Sequence, residues 1–139
     1  MKTTRRLLLP SGLAVVTLII VMGLTFTAGA YERKSSSENK VKVVVSPVQL
    51  ASGRTAKFEV RMTTHSVELN QDIVAVSTLK DNNGHKYRPL RWTGSPPGGH
   101  HREGVLEFPA IEGNPNTVTL FIRDIAGVPQ RIFEWKLER

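Results

Sequence analysis

The sequence predicts an all-β domain, an antiparallel sandwich of about seven short strands, behind one apolar N-terminal helix. Three observations lead there. Beyond residue 40 the apolar residues recur every second position, which is the period of a strand. Gly, Pro, Asn and Asp gather between those runs, where turns need them. Residues 1–30 form an apolar block with no acidic residue.

That block begins with Lys2, Arg5 and Arg6 and then runs uncharged from Leu7 to Ala30. Two readings stand. Ala28-Gly29-Ala30 has the small-x-small form that a signal peptidase admits, so the block reads as a signal peptide cleaved after Ala30. Its length also suits a retained transmembrane anchor, because about twenty apolar residues span ~30 Å of hydrocarbon. Either way the basic end stays inside and residues 31–139 are expected outside the cytoplasm. Thr4-Arg5-Arg6-Leu7-Leu8-Leu9 loosely matches a twin-arginine signal, although arginine pairs are common in ordinary leaders.

Tyr31 to Lys40 is polar and serine-rich, and is expected to be a flexible linker before a domain at 41–139. The strands follow in order. Val41, Val43 and Val45 alternate with Lys42 and Val44, and Phe58, Val60 and Met62 alternate with Lys57, Glu59 and Arg61. Ile73 to Leu79 is a β-branched run ending in the turn signal Asp81-Asn82-Asn83-Gly84, with His85 to Trp92 as the return strand of a hairpin. Val105 to Phe108 is short and stops at Pro109. Val118, Leu120 and Ile122 precede the turn Ala126-Gly127-Val128-Pro129, and Phe133, Trp135 and Leu137 close the series. The expected core is Val43, Phe58, Val60, Met62, Leu79, Tyr87, Trp92, Leu106, Phe108, Leu120, Ile122, Phe133 and Trp135.

A chain of 139 residues suits one such domain. Setting the leader's three basic residues aside from nineteen leaves sixteen against twelve acids, an ordinary soluble balance. The basic residues alternate with acids instead of forming a stripe, which argues against nucleic acid as a partner. The absence of cysteine excludes disulfides, thiolate metal sites, cysteine nucleophiles and a lipidated N-terminal cysteine. No Gly-x-Ser-x-Gly elbow, phosphate-cradling loop or His-Glu-x-x-His helix is present, so no enzyme is expected.

Leu79 to Pro89, followed by Gly104-Val105-Leu106-Glu107-Phe108-Pro109, resembles the rhythm of telokin-like, immunoglobulin-type domains of exported bacterial proteins. In this chain Pro109 falls directly after the Phe, a departure from that rhythm. Three further blocks are Thr64-His65-Ser66-Val67-Glu68-Leu69, Gly98-Gly99-His100-His101-Arg102 and Ile125-Ala126-Gly127-Val128-Pro129. They resemble a group of uncharacterised exported microbial domains. The resemblance spans most of 56–135 and implies an immunoglobulin-like fold and export, without implying an activity.

All four histidines, His65, His85, His100 and His101, lie beyond the leader. Imidazole is the commonest metal ligand and is largely neutral near pH 7, as ligation requires. His65 follows a strand, and His100-His101 follow the bendable Ser95-Pro96-Pro97-Gly98-Gly99. A zinc or copper site at His65, His100 and His101, with a carboxylate such as Glu103 or Asp72, is one expectation; solvated loop histidines are the other. Met62 is in phase with Phe58 and Val60 and reads as core rather than as a copper ligand. Arg88, Arg91 and Arg102 flank the same loop and read as a solvated rim or a small anion site. The functional expectation is therefore a non-catalytic binding or interaction domain of the cell envelope. It would be tied to the membrane by its leader and face an envelope protein partner. A copper- or zinc-binding domain is the alternative.

Overall fold

The computed structural model describes residues 31–138; the signal peptide or anchor expected at 1–30 lies outside the described residues. Nine strands form. They are β1 (Lys34–Glu38), β2 (Val41–Gln49), β3 (Thr55–Thr64), β4 (Ser77–Asp81), β5 (Lys86–Tyr87), β6 (Arg91–Gly94), β7 (His101–Ala110), β8 (Thr117–Ile125) and β9 (Val128–Lys136). One helical turn, α1 (Ile73–Val76), precedes β4. The strands make two sheets, ordered β1-β2-β3-β7-β6 and β5-β4-β8-β9. Every strand pairing within them is antiparallel.

The inward faces of both sheets build one core. Phe58 of the first sheet meets Trp135 of the second at 5.2 Å between ring centroids, and meets Phe108 edge-on at 5.9 Å. Every residue of the expected core is buried except Trp92, which is half-buried and packs against it. Full burial of one such side chain stabilises by about 1.5–3 kcal/mol, so a core of this extent holds the fold without cross-links. Gly104 lets β6 close over β7. A Cβ there would stand 2.6 Å from the Thr93 carbonyl oxygen and 2.7 Å from the Trp92 ring, inside the van der Waals limit.

Three elements differ from expectation. The segment 31–40, expected as a linker, carries β1, which pairs with β2 from Lys34↔Val45 to Glu38↔Val41. Its turn places Asn39 and Lys40 at φ 46° and 65°, the left-handed pair that a tight hairpin requires. Polar side chains disguise this strand because it is held through its backbone. Trp135 Nε1 donates to the Glu32 carbonyl at 2.7 Å, and Arg131 donates to the carbonyls of Ser36, Glu38 and Val41. The run from His85 to Trp92, expected as one strand, is divided between the sheets. The Asp81–Gly84 hairpin forms as expected, with Leu79↔Tyr87 and Lys80↔Lys86 in register, but β6 pairs with β7 instead. Pro89 lacks the N–H that would continue the ladder, and Leu90 N opens the new pairing with Glu107 O at 2.7 Å. Finally, Ile73–Val76 turns into helix because the Asp72 carboxylate accepts from Val74 N and Ala75 N at 3.0 and 3.3 Å. That N-cap outweighs the β preference of the branched side chains.

The strand directions define two poles. The near pole holds Tyr31, the loops at 50–54, 81–85 and 111–116, and Glu138, whose N–H donates to the Tyr31 hydroxyl at 3.1 Å. The far pole holds the turn at 39–40, the segment 65–76, the loop 95–100 and the turn at 126–127. Asn39 Nδ2 donates to Ala126 O at 3.0 Å and Gln71 Nε2 to Asp124 O at 3.2 Å, tying the far-pole segments together.

Candidate functional site

The three histidines singled out in the sequence all lie at the far pole. His65 follows β3, and His101 opens β7, which runs beside it in the register Thr63↔His101. Thr64 N donates to His100 O at 3.0 Å. The loops therefore share one end of the sandwich, as a joint site would need. The side chains do not share a point. All three imidazoles are exposed, and His101 lies on the outer side of the sheet because its neighbour Arg102 faces the core. Among the described residues no three His, Asp or Glu side chains group to hold a metal ion. The carboxylates considered beside them are otherwise engaged: Glu103 lies 3.4 Å from Arg61 Nε, and Asp72 caps α1.

What organises this pole is Arg102, which is 2 % exposed. Its Nη1 donates to Leu69 O at 3.1 Å and to Gln71 O at 2.7 Å, and its Nη2 reaches Ser95 O at 3.5 Å. The guanidinium thus joins the segment after β3 to the loop before β7. Burial pushes its pKa down from the usual guanidinium range, and the charge of Asp72 opposes that shift. The loop itself is latched by its backbone. Gly98 N donates to Leu69 O at 2.8 Å, Leu69 N to Gly99 O at 3.0 Å, and Gly99 N to Glu68 Oε1 at 2.7 Å. Gly98 and Gly99 stand at φ 113° and 74°, where a side chain is strained. The block Gly98-Gly99-His100-His101-Arg102 therefore works mainly as a latch, with its histidines displayed on a fixed frame.

The remaining histidine belongs to a second cluster at the near pole. The Asp81 carboxylate, its side chain fully buried, accepts from His85 Nδ1 at 2.9 Å, Tyr87 Oη at 2.8 Å, Asn83 N at 2.9 Å and His85 N at 3.0 Å. Burial pushes its pKa up, but these bonds, led by that of the His85 side chain, more than offset burial and hold it below its ordinary value. Burial raises the Tyr87 phenol, whose oxygen in turn accepts from Glu112 N at 3.0 Å. His85 Nε2 faces Glu112 Oε2 at 3.6 Å. The His–Asp pair thus faces a second carboxylate, and its geometry is that of a hairpin lock.

The three arginines that flank the Gly/Pro loop in sequence part company. Arg102 goes inside, Arg91 pairs with Glu107 at 2.8 Å, and Arg88 lines an open cleft with Arg123. A larger hollow of about 570 Å³ at the near pole, lined by Ala51, Ser52, Asn114, Pro115 and Glu138, offers neither a cation nor an imidazole. No protein family, no curated protein and no solved structure matches the chain.

Two organising residues are not read as such from the sequence: Arg102, expected on a rim, is buried, and Arg131 is not singled out, although a signal for each is present. Arg102 is in phase with Leu106 and Phe108 through Gly104, and Arg131 is in phase with Phe133, Trp135 and Leu137. A charged residue on the inward phase of a strand marks a buried cation bound by carbonyls. Arg131 does so with bonds of 3.0–3.5 Å to the carbonyls of Ser36, Glu38, Val41 and Ile125, and with a further one of 3.0 Å to the Ser36 hydroxyl.

Proposed function

We propose that the chain is an extracytoplasmic, non-catalytic interaction domain of the cell envelope, and that its far pole is the contact surface. The observation that carries this is the latched loop pair. Exposed His65, His100 and His101, together with Pro96 and Pro97, stand on a frame fixed by the buried Arg102 and by three bonds donated by the backbone N–H groups of Gly98, Leu69 and Gly99. A preorganised surface loses little conformational entropy when a partner docks. Its position supports the same reading, for it lies at the end opposite Tyr31, where the apolar leader joins the domain. The leader supplies export or attachment, and the two antiparallel sheets support an immunoglobulin-like assignment. The hydrogen-bonded closure of the His85–Asp81 pair supports a role without catalysis.

The test is site-specific photocrosslinking in intact cells. A photoreactive residue at His100 should yield a discrete adduct with one envelope protein, and the same residue at Asn114 on the near pole should not. No adduct from the far pole, or the same adduct from both poles, would overturn the assignment.

A further inference from the structure

On the flank where the chain crosses from β5 to β6 lies an open cleft of about 430 Å³. Val74, Ala75 and Pro89 give it apolar walls, and Thr78 lines it beside them. Arg88 and Arg123 carry the only charges among its lining residues.

These two cations are provisioned differently from the exposed strand arginines Arg61 and Arg91. Arg61 has Glu59 at 2.7 Å and Arg91 has Glu107 at 2.8 Å. Among the described residues neither Arg88 nor Arg123 has a carboxylate partner. Arg123 is nonetheless positioned, because its Nη2 donates to Ala75 O at 3.1 Å, and most of its donors stay unused. Arg88 precedes the buried Pro89, which confines its backbone to extended conformations. Two guanidinium groups facing one hollow repel each other unless an anion lies between them. Two cationic forks on one rim are complementary to the oxygens of an anionic group.

We propose that this cleft binds an oxyanion, a carboxylate or phosphate group on a small ligand, gripped by Arg88 and Arg123. The flat guanidinium offers paired N–H donors that match either group in two-point fashion. The apolar walls take the uncharged part of the ligand. This site is separate from the far-pole loop latch and stands or falls independently of it.

The test uses the full chain in a neutral detergent, so that the leader is retained. Sodium phosphate, sodium acetate and sodium chloride are titrated at matched ionic strength, and the arginine Nε–Hε resonances are followed by NMR. The Arg88 and Arg123 resonances should shift saturably with phosphate, acetate or both, and the better of the two names the group. Those of Arg61 and Arg91 should stay nearly still. Arg88→Gln and Arg123→Gln each alter an exposed side chain and should each weaken binding by about tenfold or more. Shifts that rise linearly, that appear equally on Arg61 and Arg91, that chloride reproduces, or that survive both variants would overturn the proposal.

Discussion

Asp81 shows how much one side chain can organise. Its carboxylate closes the β4–β5 turn through two backbone N–H groups, and fixes His85 and the Tyr87 hydroxyl through two side-chain bonds. Because its pKa in the fold lies below the ordinary value, the stability it contributes is complete above the unfolded-state pKa of ~3.9 and fades as pH falls through the folded value. Asp81→Asn should therefore cost about 1–3 kcal/mol at neutral pH, measured by urea unfolding. The gap between variant and parent should narrow as pH falls from about 5 to about 2. A gap that stays constant over that range would show that the carboxylate's charge plays no part. The turn was legible in sequence from Asp81-Asn82-Asn83-Gly84. Its network was not, because His85 and Tyr87 meet Asp81 only after the hairpin folds back.

At the scale of elements, the strands with an apolar period were legible and those without one were not. β3, β7, β8 and β9 place Phe58, Leu106, Leu120 and Phe133 inward, as their alternation requires. β1 has no apolar phase at all, since Lys34 to Glu38 is Lys-Ser-Ser-Ser-Glu. Only its partners reveal it: the β2 ladder and the Arg131 guanidinium, which lies 95 residues away in sequence from Ser36. The candidate site follows the same rule. The histidine loops could be placed at sandwich ends from strand boundaries, but which imidazoles meet depends on register and on the inward turn of Arg102. Removing β1 should strand a buried cation. A chain begun at Lys40 should be less stable than one begun at Tyr31 by about 3 kcal/mol or more, because Arg131 loses the carbonyls of Ser36 and Glu38 and Trp135 loses that of Glu32. Equal urea midpoints for the two would show that β1 is only an attached ribbon.

At the scale of the whole molecule, the fold is polarised. Tyr31, at the start of the described residues, lies at one end, and the latched histidine loops lie at the other. Among the described residues no helix is long and apolar enough to cross a membrane. A reporter active only outside the cytoplasm, fused behind the full chain, should be active. Silence from a stable fusion would refute export. Mass spectrometry of the native protein then separates the two fates of the leader, with a first residue of Tyr31 after cleavage and Met1 after retention.

If the leader is a cleaved signal peptide, the anchoring of Tyr31 and Glu32 also sets an order of events. A peptidase cutting after Ala30 needs the residues on both sides of the bond drawn out in its groove. In the finished domain Tyr31 packs against the core, its hydroxyl receives the Glu138 N–H, and the Glu32 carbonyl is held by Trp135. In that reading processing and folding compete for the same few residues. Cleavage would have to come first, while the chain is still emerging, and a copy that closes β1 before the enzyme arrives would stay tethered. The proportion of released to tethered protein would then follow from a race between two rates rather than from the sequence of the cleavage site alone.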